Sequence, residues 1–178
     1  MSSIAKHVYL TGSRGSGKTS VGKGLAARLG VDFIDTDALL CSMQERTVAE
    51  IVEAEGWDAF RAYETQALAK ASESSAAVIA TGGGIVTRDE NCKLMKQGGL
   101  VFFIDVPVEE LARRLSANPE AAQRPSLTGA GLVEEIRQVL AERMEMYTAC
   151  ADITVDGAQS VEKIIDNIVE LLDNNRDS

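Results

Sequence analysis

The chain has 178 residues, with 27 acidic against 18 basic side chains, a formal net charge of −9 and a sequence pI near 4.7. That length suits one domain, residues 1–178, with a two-sided core, and is too short for two independent ones. The acidity argues against nucleic acid or an anionic membrane surface as a partner. The chain enters its first apolar run without a signal-peptide pattern or a membrane-length segment, so a cytoplasmic location is expected. Three scattered cysteines, Cys41, Cys92 and Cys150, lack CxxC spacing and read as reduced thiols rather than a disulfide framework or a zinc site.

The apolar run His7–Thr11 predicts a strand, and residues 18–29 predict a helix. Between them stands Gly12-Ser13-Arg14-Gly15-Ser16-Gly17-Lys18-Thr19, which fits GxxxxGK(S/T) in the strand–loop–helix context that a phosphate-cradling loop requires. Its glycines let successive backbone N–H groups face one anion, and the helix N-terminus adds partial positive charge. Lys18 is placed to reach the β- and γ-phosphates, and the Thr19 hydroxyl to ligate Mg²⁺. A bound nucleoside triphosphate is the expected consequence. His7, the sole histidine, starts the strand and is not expected to be catalytic.

A second strand over Val31–Ile34 delivers Asp35-Thr36-Asp37 to the edge where phosphates should lie. The carboxylate nearer Thr19 suits Mg²⁺-bound water, and the other suits an acceptor hydroxyl; an N-cap at Asp37 is the competing use. Helices are predicted near 37–44, 47–54 and 57–72. In the last, Trp57, Phe60, Glu64, Ala67, Leu68 and Ala71 mark an inward stripe on which Arg61 falls, one turn before Glu64. A strand over Ala77–Thr81 ends in Gly82-Gly83-Gly84. Three glycines exceed the needs of a turn and suggest close backbone approach, positive φ and bare N–H groups facing a substrate.

A helix near 89–97, a strand over Leu100–Asp105 and a helix near 108–116 follow. Arg113 and Arg114 at the end of that helix suit its C-terminal dipole first, and stacking on a nucleobase second. Residues 117–130 hold two prolines, a glycine and one large apolar residue, Leu127. So long a loop reads as a water-excluding lid with Arg124 as its charged tip. In the helix near 131–149, Leu132, Ile136, Val139, Leu140 and Tyr147 form the inward stripe; Arg143 interrupts it, and Arg137 falls outside it. Inward guanidinium groups are costly unless paired, so Arg61 and Arg143 point to an anionic ligand group such as a carboxylate, with snorkelling as the alternative. A strand over Ile153–Val155 and a helix near 160–173 close the chain. Alternation of apolar strands with amphipathic helices predicts an α/β fold, a parallel sheet covered on both faces, with its site at the carboxyl ends of the strands.

In combination, GSRGSGKT, FIDTD (33–37), FRAYE (60–64), ATGGG (80–84), RPSL (124–127) and ERMEMY (142–147) resemble shikimate kinases, a nucleoside monophosphate kinase-like P-loop family. The resemblance covers nearly the whole chain, and the lid length and RPSLTG stretch resemble the second bacterial type. It implies a three-layer α/β/α P-loop kinase fold with a central five-stranded parallel sheet. A shikimate-binding helical region lies near 35–64. ATP is co-substrate, with one Mg²⁺ per subunit, in a monomer that phosphorylates the 3-hydroxyl of shikimate for aromatic amino-acid biosynthesis. By that resemblance residues 12–19 bind ATP, and Lys18 matches the phosphate lysine. Thr19 and Asp35 match the metal ligands, Asp35 through water, and Asp37 the residue that aligns the ring hydroxyls. Arg61 and Arg143 match the carboxylate clamp, with Glu64 supporting; Gly82, Gly83 and Gly84 match the substrate-facing run, and Arg124 the lid arginine that meets the phosphate. Many relatives carry a proline in the loop after the last strand; here that loop reads Asp156-Gly157-Ala158-Gln159-Ser160, and its adenine contacts are left unassigned. A gluconate-kinase-like phosphotransferase and a non-catalytic ATP-binding module are the alternatives.

Overall fold

A computed structural model of the protein describes residues 6–118 and 125–175; Arg124 and residues 119–123 of the expected lid lie outside it. The elements in chain order are β1 (His7–Thr11), α1 (Lys18–Leu29), β2 (Asp32–Asp35), α2 (Thr36–Gln44), α3 (Val48–Ser72), β3 (Ala77–Ala80), a 3₁₀ turn (Ile85–Thr87), α4 (Asp89–Gly98), β4 (Gly99–Asp105), α5 (Val108–Ala117), α6 (Leu132–Cys150), β5 (Ile153–Asp156) and α7 (Val161–Asn174). The five strands form one sheet in the order β2-β3-β1-β4-β5, and every neighbouring pair is parallel. This is the predicted fold class.

β1 and β3 are buried along their whole length, and β4 nearly so, as their Val, Ile, Phe and Ala content requires when helices cover both faces. β2 is an edge strand and only half-buried. The chain steps from β2 to its neighbour β3, then crosses β1 to reach β4, so the switch point lies between β1 and β3. There the loops after β1, β2 and β3 meet at one end of the sheet, where a doubly wound fold binds its ligand. His7 is structural: its Nδ1 accepts from the Ala77 N–H at 3.2 Å, which leaves Nε2–H to donate to Ser72 O at 3.2 Å. Among the described residues no helix is long and apolar enough to cross a membrane.

The expected helices over 47–54 and 57–72 are both present within α3, separated by a kink at Gly56, whose φ of 83° and ψ of 175° no side-chain-bearing residue adopts without strain. Both of its halves pack with α2, around Leu40, Ile51, Phe60 and Ala67, a small cluster beside the sheet core. Its start is a capping box, in which Thr47 Oγ1 accepts from Glu50 N at 3.2 Å and Glu50 Oε2 from Thr47 N at 2.7 Å. Thr47→Ala should therefore lower stability by about 1 kcal/mol. Urea denaturation checks it, and an unchanged midpoint would show that the cap contributes nothing.

Candidate active site

The phosphate loop is held in shape by residues that only glycine can supply. Gly12, Gly15 and Gly17 have φ of 146°, 81° and 91°, and a Cβ on Gly12 would lie 2.8 Å from Ile104 O. Lys18 Nζ donates to Gly12 O (2.6 Å), Ser13 O (2.9 Å) and Ser16 Oγ (3.3 Å), which hold the ammonium over the loop. Thr19 Oγ1 donates to Asp35 Oδ2 at 3.1 Å, joining α1 to the end of β2.

The N-cap of α2 is Asp35, not Asp37. Asp35 Oδ1 accepts from the backbone N–H groups of Asp37 (2.9 Å) and Ala38 (3.2 Å), because β2 runs one residue further than the sequence suggests and the helix starts at Thr36. Asp37 is thereby relieved of capping and lines an open cleft of about 560 Å³ with Lys18, Thr19, Asp35, Thr81 and Gly82.

Beside this cleft lies a second, smaller cavity of about 90 Å³. Its walls include Trp57, Phe60, Arg61 and Glu64 of α3, Gly83 and Gly84, and Ile136, Val139, Arg143 and Tyr147 of α6. Arg14, Gly83 and Leu115 line both spaces, so the two adjoin. Arg61 Nη1 donates to Glu64 Oε2 at 2.5 Å, and the guanidinium lies 5.5 Å and 5.4 Å from the ring centres of Trp57 and Phe60. Glu64 is only 3 % exposed. Burial pushes its carboxyl above the ordinary value, and Arg61 beside it opposes that rise. Arg137, outside the stripe, is solvated and pairs with Glu134.

The glycine run differs from expectation in one respect. None of Gly82, Gly83 and Gly84 is among the residues with positive φ; Gly84 has φ −97°. What requires glycine is close approach. A Cβ on Gly82 would lie 2.6 Å from Glu64 Oε1 and 2.7 Å from Asp37 Oδ1, and one on Gly84 would lie 2.1 Å from Arg61 Nη1.

Several residues emerge that sequence reasoning did not assign. Tyr147 belongs to the stripe, but its hydroxyl also donates to Gly83 O at 2.5 Å while its ring stacks on Phe103 at 4.8 Å. Burial raises its pKa despite Arg143 nearby, so it stays a neutral donor. Arg114 is more than a dipole partner: it donates to Gly15 O (3.4 Å), Ser16 O (3.3 Å) and Gly157 O (2.8 Å), tying the phosphate loop to the loop after β5. Hydrogen bonds from Arg113 and Arg114 hold Glu110 down at about 2, so this orientation persists at every physiological pH. Arg113 itself is mostly solvated. In the loop after β5, Asp156 Oδ1 accepts from Ala158 N at 2.9 Å and stiffens the loop by a side-chain turn. The described arm of the expected lid is fastened to α6: Glu135 accepts from Ser126 Oγ (2.5 Å) and Leu127 N (2.9 Å), and Pro125 and Leu127 roof the second cavity.

This geometry agrees with the comparisons. A shikimate kinase family model matches residues 14–173. The chain belongs to the shikimate kinase family. A shikimate kinase of Nitratidesulfovibrio vulgaris is 45 % identical over 172 residues, covering 97 % of this chain and 98 % of that one. A shikimate kinase 2 of Yersinia pestis is 44 % identical over 169 residues, covering 95 % and 97 %. The solved shikimate kinase of Acinetobacter baumannii, in complex with shikimate, superposes with a TM-score of 0.90 at 32 % identity, covering 97 % of this chain and 95 % of that one. The chain is thus a kinase with ATP as co-substrate.

Two consequences are open to measurement. Gly84→Ala forces the Arg61 guanidinium aside from the buried Glu64; acceptor KM should rise about tenfold or more together with a loss of stability, and an unaltered KM would detach Arg61 from the acceptor. Tyr147→Phe removes one hydrogen bond while keeping the ring stack, and should cost about 1 kcal/mol in stability. If Tyr147 aims Gly83, turnover falls as well; a variant losing stability alone would make it a packing residue only.

Proposed function

We propose that the chain transfers the γ-phosphoryl group of ATP to the 3-hydroxyl of shikimate, supplying shikimate 3-phosphate to aromatic amino-acid biosynthesis. The observation that carries this reading is the junction of two spaces at Gly83. One is walled by the phosphate loop and two carboxylates, the other by Arg61, Arg143 and the buried Glu64, with Arg14 lining both. A ring acid held by its carboxylate at Arg61 and Arg143 would present a hydroxyl toward Asp37 and the loop.

Phosphoryl transfer asks for positioning and charge stabilisation rather than a covalent intermediate, so the absence of a poised nucleophile in this reading is no obstacle. Lys18 neutralises charge on the transferring group, and Arg124 joins it from the lid, about 117–130. Asp37 accepts a hydrogen bond from the acceptor hydroxyl and aligns it. Glu64 orients Arg61, and residues 35–64 form the acceptor-binding region of a single domain. For Mg²⁺, Thr19 and Asp35 are adjacent hard oxygen donors at the edge of the nucleotide cleft. Among the described residues no group of three or more protein ligands exists, which suits an ion held largely by phosphates and water. When bound, Mg²⁺ offsets phosphate charge, and Thr19 and Asp35 would hold it, Asp35 through water. The reading carries with it a cytoplasmic monomer with one Mg²⁺ per chain.

A coupled assay offering shikimate, gluconate and AMP with Mg²⁺-ATP tests the acceptor. Turnover of shikimate alone is expected; preference for gluconate would overturn the assignment, and no turnover despite tight ATP binding would leave a nucleotide-binding module. Arg61→Ala or Arg143→Ala should raise the KM for shikimate about 10- to 100-fold, the worth of a charged hydrogen bond. Lys18→Ala should instead cut kcat by about 10³-fold. An arginine variant with unchanged KM would dismantle the clamp.

A further inference from the structure

Away from the two cavities, α4 and α6 bring together two cysteines that are 58 positions apart in sequence (150 minus 92). Cys92 is half-buried on α4, and Cys150, the last residue of α6, is buried. Both line one surface depression with Lys93, Lys96, Asp89 and Glu145. Their thiols interact directly with each other, and Cys92 Sγ also lies 4.0 Å from Val86 O. Lys96 Nζ donates to Ala149 O at 2.8 Å, which sets an ammonium beside Cys150 at the end of α6.

We propose that Cys92 and Cys150 form an oxidisable dithiol site, which a hydroperoxide such as hydrogen peroxide converts into a disulfide joining α4 to α6. The site is separate from the phosphate loop and does not rest on the proposed acceptor. The two sulfurs are unequal. The Cys150 thiol, and then Lys96, favour the Cys92 thiolate, against burial and Asp89. Cys92 and burial drive Cys150 the other way, so it keeps its proton. Lys93 and Glu145 at the rim and Asp152 near Cys150 complete the charged groups facing the pair.

A thiolate is the nucleophile and the more accessible sulfur is the attacker, so Cys92 reacts first. An S–O bond forms, the peroxide O–O bond breaks, and hydroxide leaves to take up a proton as water. The Cys150 sulfur then attacks Cys92 sulfur; an S–S bond forms, the S–O bond breaks, and the hydroxyl departs with the Cys150 proton as a second water. The two thiols lose two electrons and two protons, and one hydrogen peroxide becomes two waters. Cys41, on α2, has no part in this and supplies the internal control.

The test uses the full reduced chain, treated with hydrogen peroxide, unfolded and titrated for thiols, with a non-reducing digest read by mass spectrometry. The thiol count should fall from three to one, with a peptide linking positions 92 and 150 that dithiothreitol releases. Cys150→Ser should accumulate a sulfenic acid on Cys92 that a 1,3-dione traps, and Cys92→Ser should retain both remaining thiols. If either variant fails to fold, the linked peptide from the unaltered chain decides alone. Three surviving thiols, a link through Cys41, or over-oxidation of Cys92 without a link would overturn the proposal.

Discussion

Glu64 and Asp37 bring carboxylate oxygens to within 2.6 Å and 2.7 Å of where a side chain on Gly82 would begin, and Arg61 does the same at Gly84. Three side chains from α2 and α3 thus crowd a space through which the chain after β3 must pass without side chains. Any Cβ there would push the acidic and basic groups apart, and with them the spacing between phosphate loop and acid cavity. Gly83, between them, has its carbonyl held by Tyr147 and faces the loop on the other side, where its Cβ would lie 3.4 Å from Arg14 N. The run therefore works as a thin wall between two binding spaces. Phosphoryl transfer across a wall of ordinary residues would place donor and acceptor too far apart, since reacting atoms must come within about 3–3.5 Å.

A chain of net charge −9 has to concentrate positive charge where it handles anions, and it does so by two different devices. Lys18 is held over the phosphate loop by bonds that include two backbone carbonyls and a hydroxyl. Arg61 is fixed by a carboxylate, which orients it but largely neutralises it. Glu135, on the same cavity, spends its carboxylate on Ser126 and Leu127. Among the described residues Arg143 makes no ion pair with a carboxylate. The cavity beside Gly83 and Gly84 thus carries guanidinium groups from Arg61 and Arg143, with Arg14 shared with the nucleotide cleft, where the Lys18 ammonium stands over the phosphate loop.

What the sequence makes legible is what local pattern encodes. The glycine spacing of the phosphate loop, the apolar strands and the 3.6-residue stripes that expose Arg61 and Arg143 all act within one or two turns of chain, and the fold and both binding walls follow from them. Tyr147 and Gly83, by contrast, are 64 residues apart, and Arg114 and Gly15 are 99 apart; no periodicity marks such meetings. The apolar stripe did place Tyr147 inward but could not say what its hydroxyl touches. The reason for the triple glycine was half visible: close approach is real, while positive φ is not needed, because the chain leaves β3 through a 3₁₀ turn at ordinary dihedrals. The pairing of Cys92 with Cys150 was hidden for the same reason, since scattered spacing says nothing about which helices pack together.

The reassignment of the α2 cap changes how the two aspartates divide their work. An ionised carboxylate offers about four acceptor positions. Asp35 commits two on Oδ1 to the helix start and one on Oδ2 to Thr19, so its side chain is pinned with little freedom left. A pinned carboxylate suits a fixed ion and its water, where geometry is strict. Asp37 stands one position inside the helix, its backbone N–H already satisfied by Asp35, and its side chain is directed to Gly82 rather than to its own backbone. The helix start therefore immobilises Asp35 and takes up the Asp37 backbone N–H, while the Asp37 carboxylate meets Gly82 in the nucleotide cleft. Moving the cap by a single residue would shift both carboxylates relative to that cleft, which makes the register of β2 a determinant of the site's layout as well as of packing.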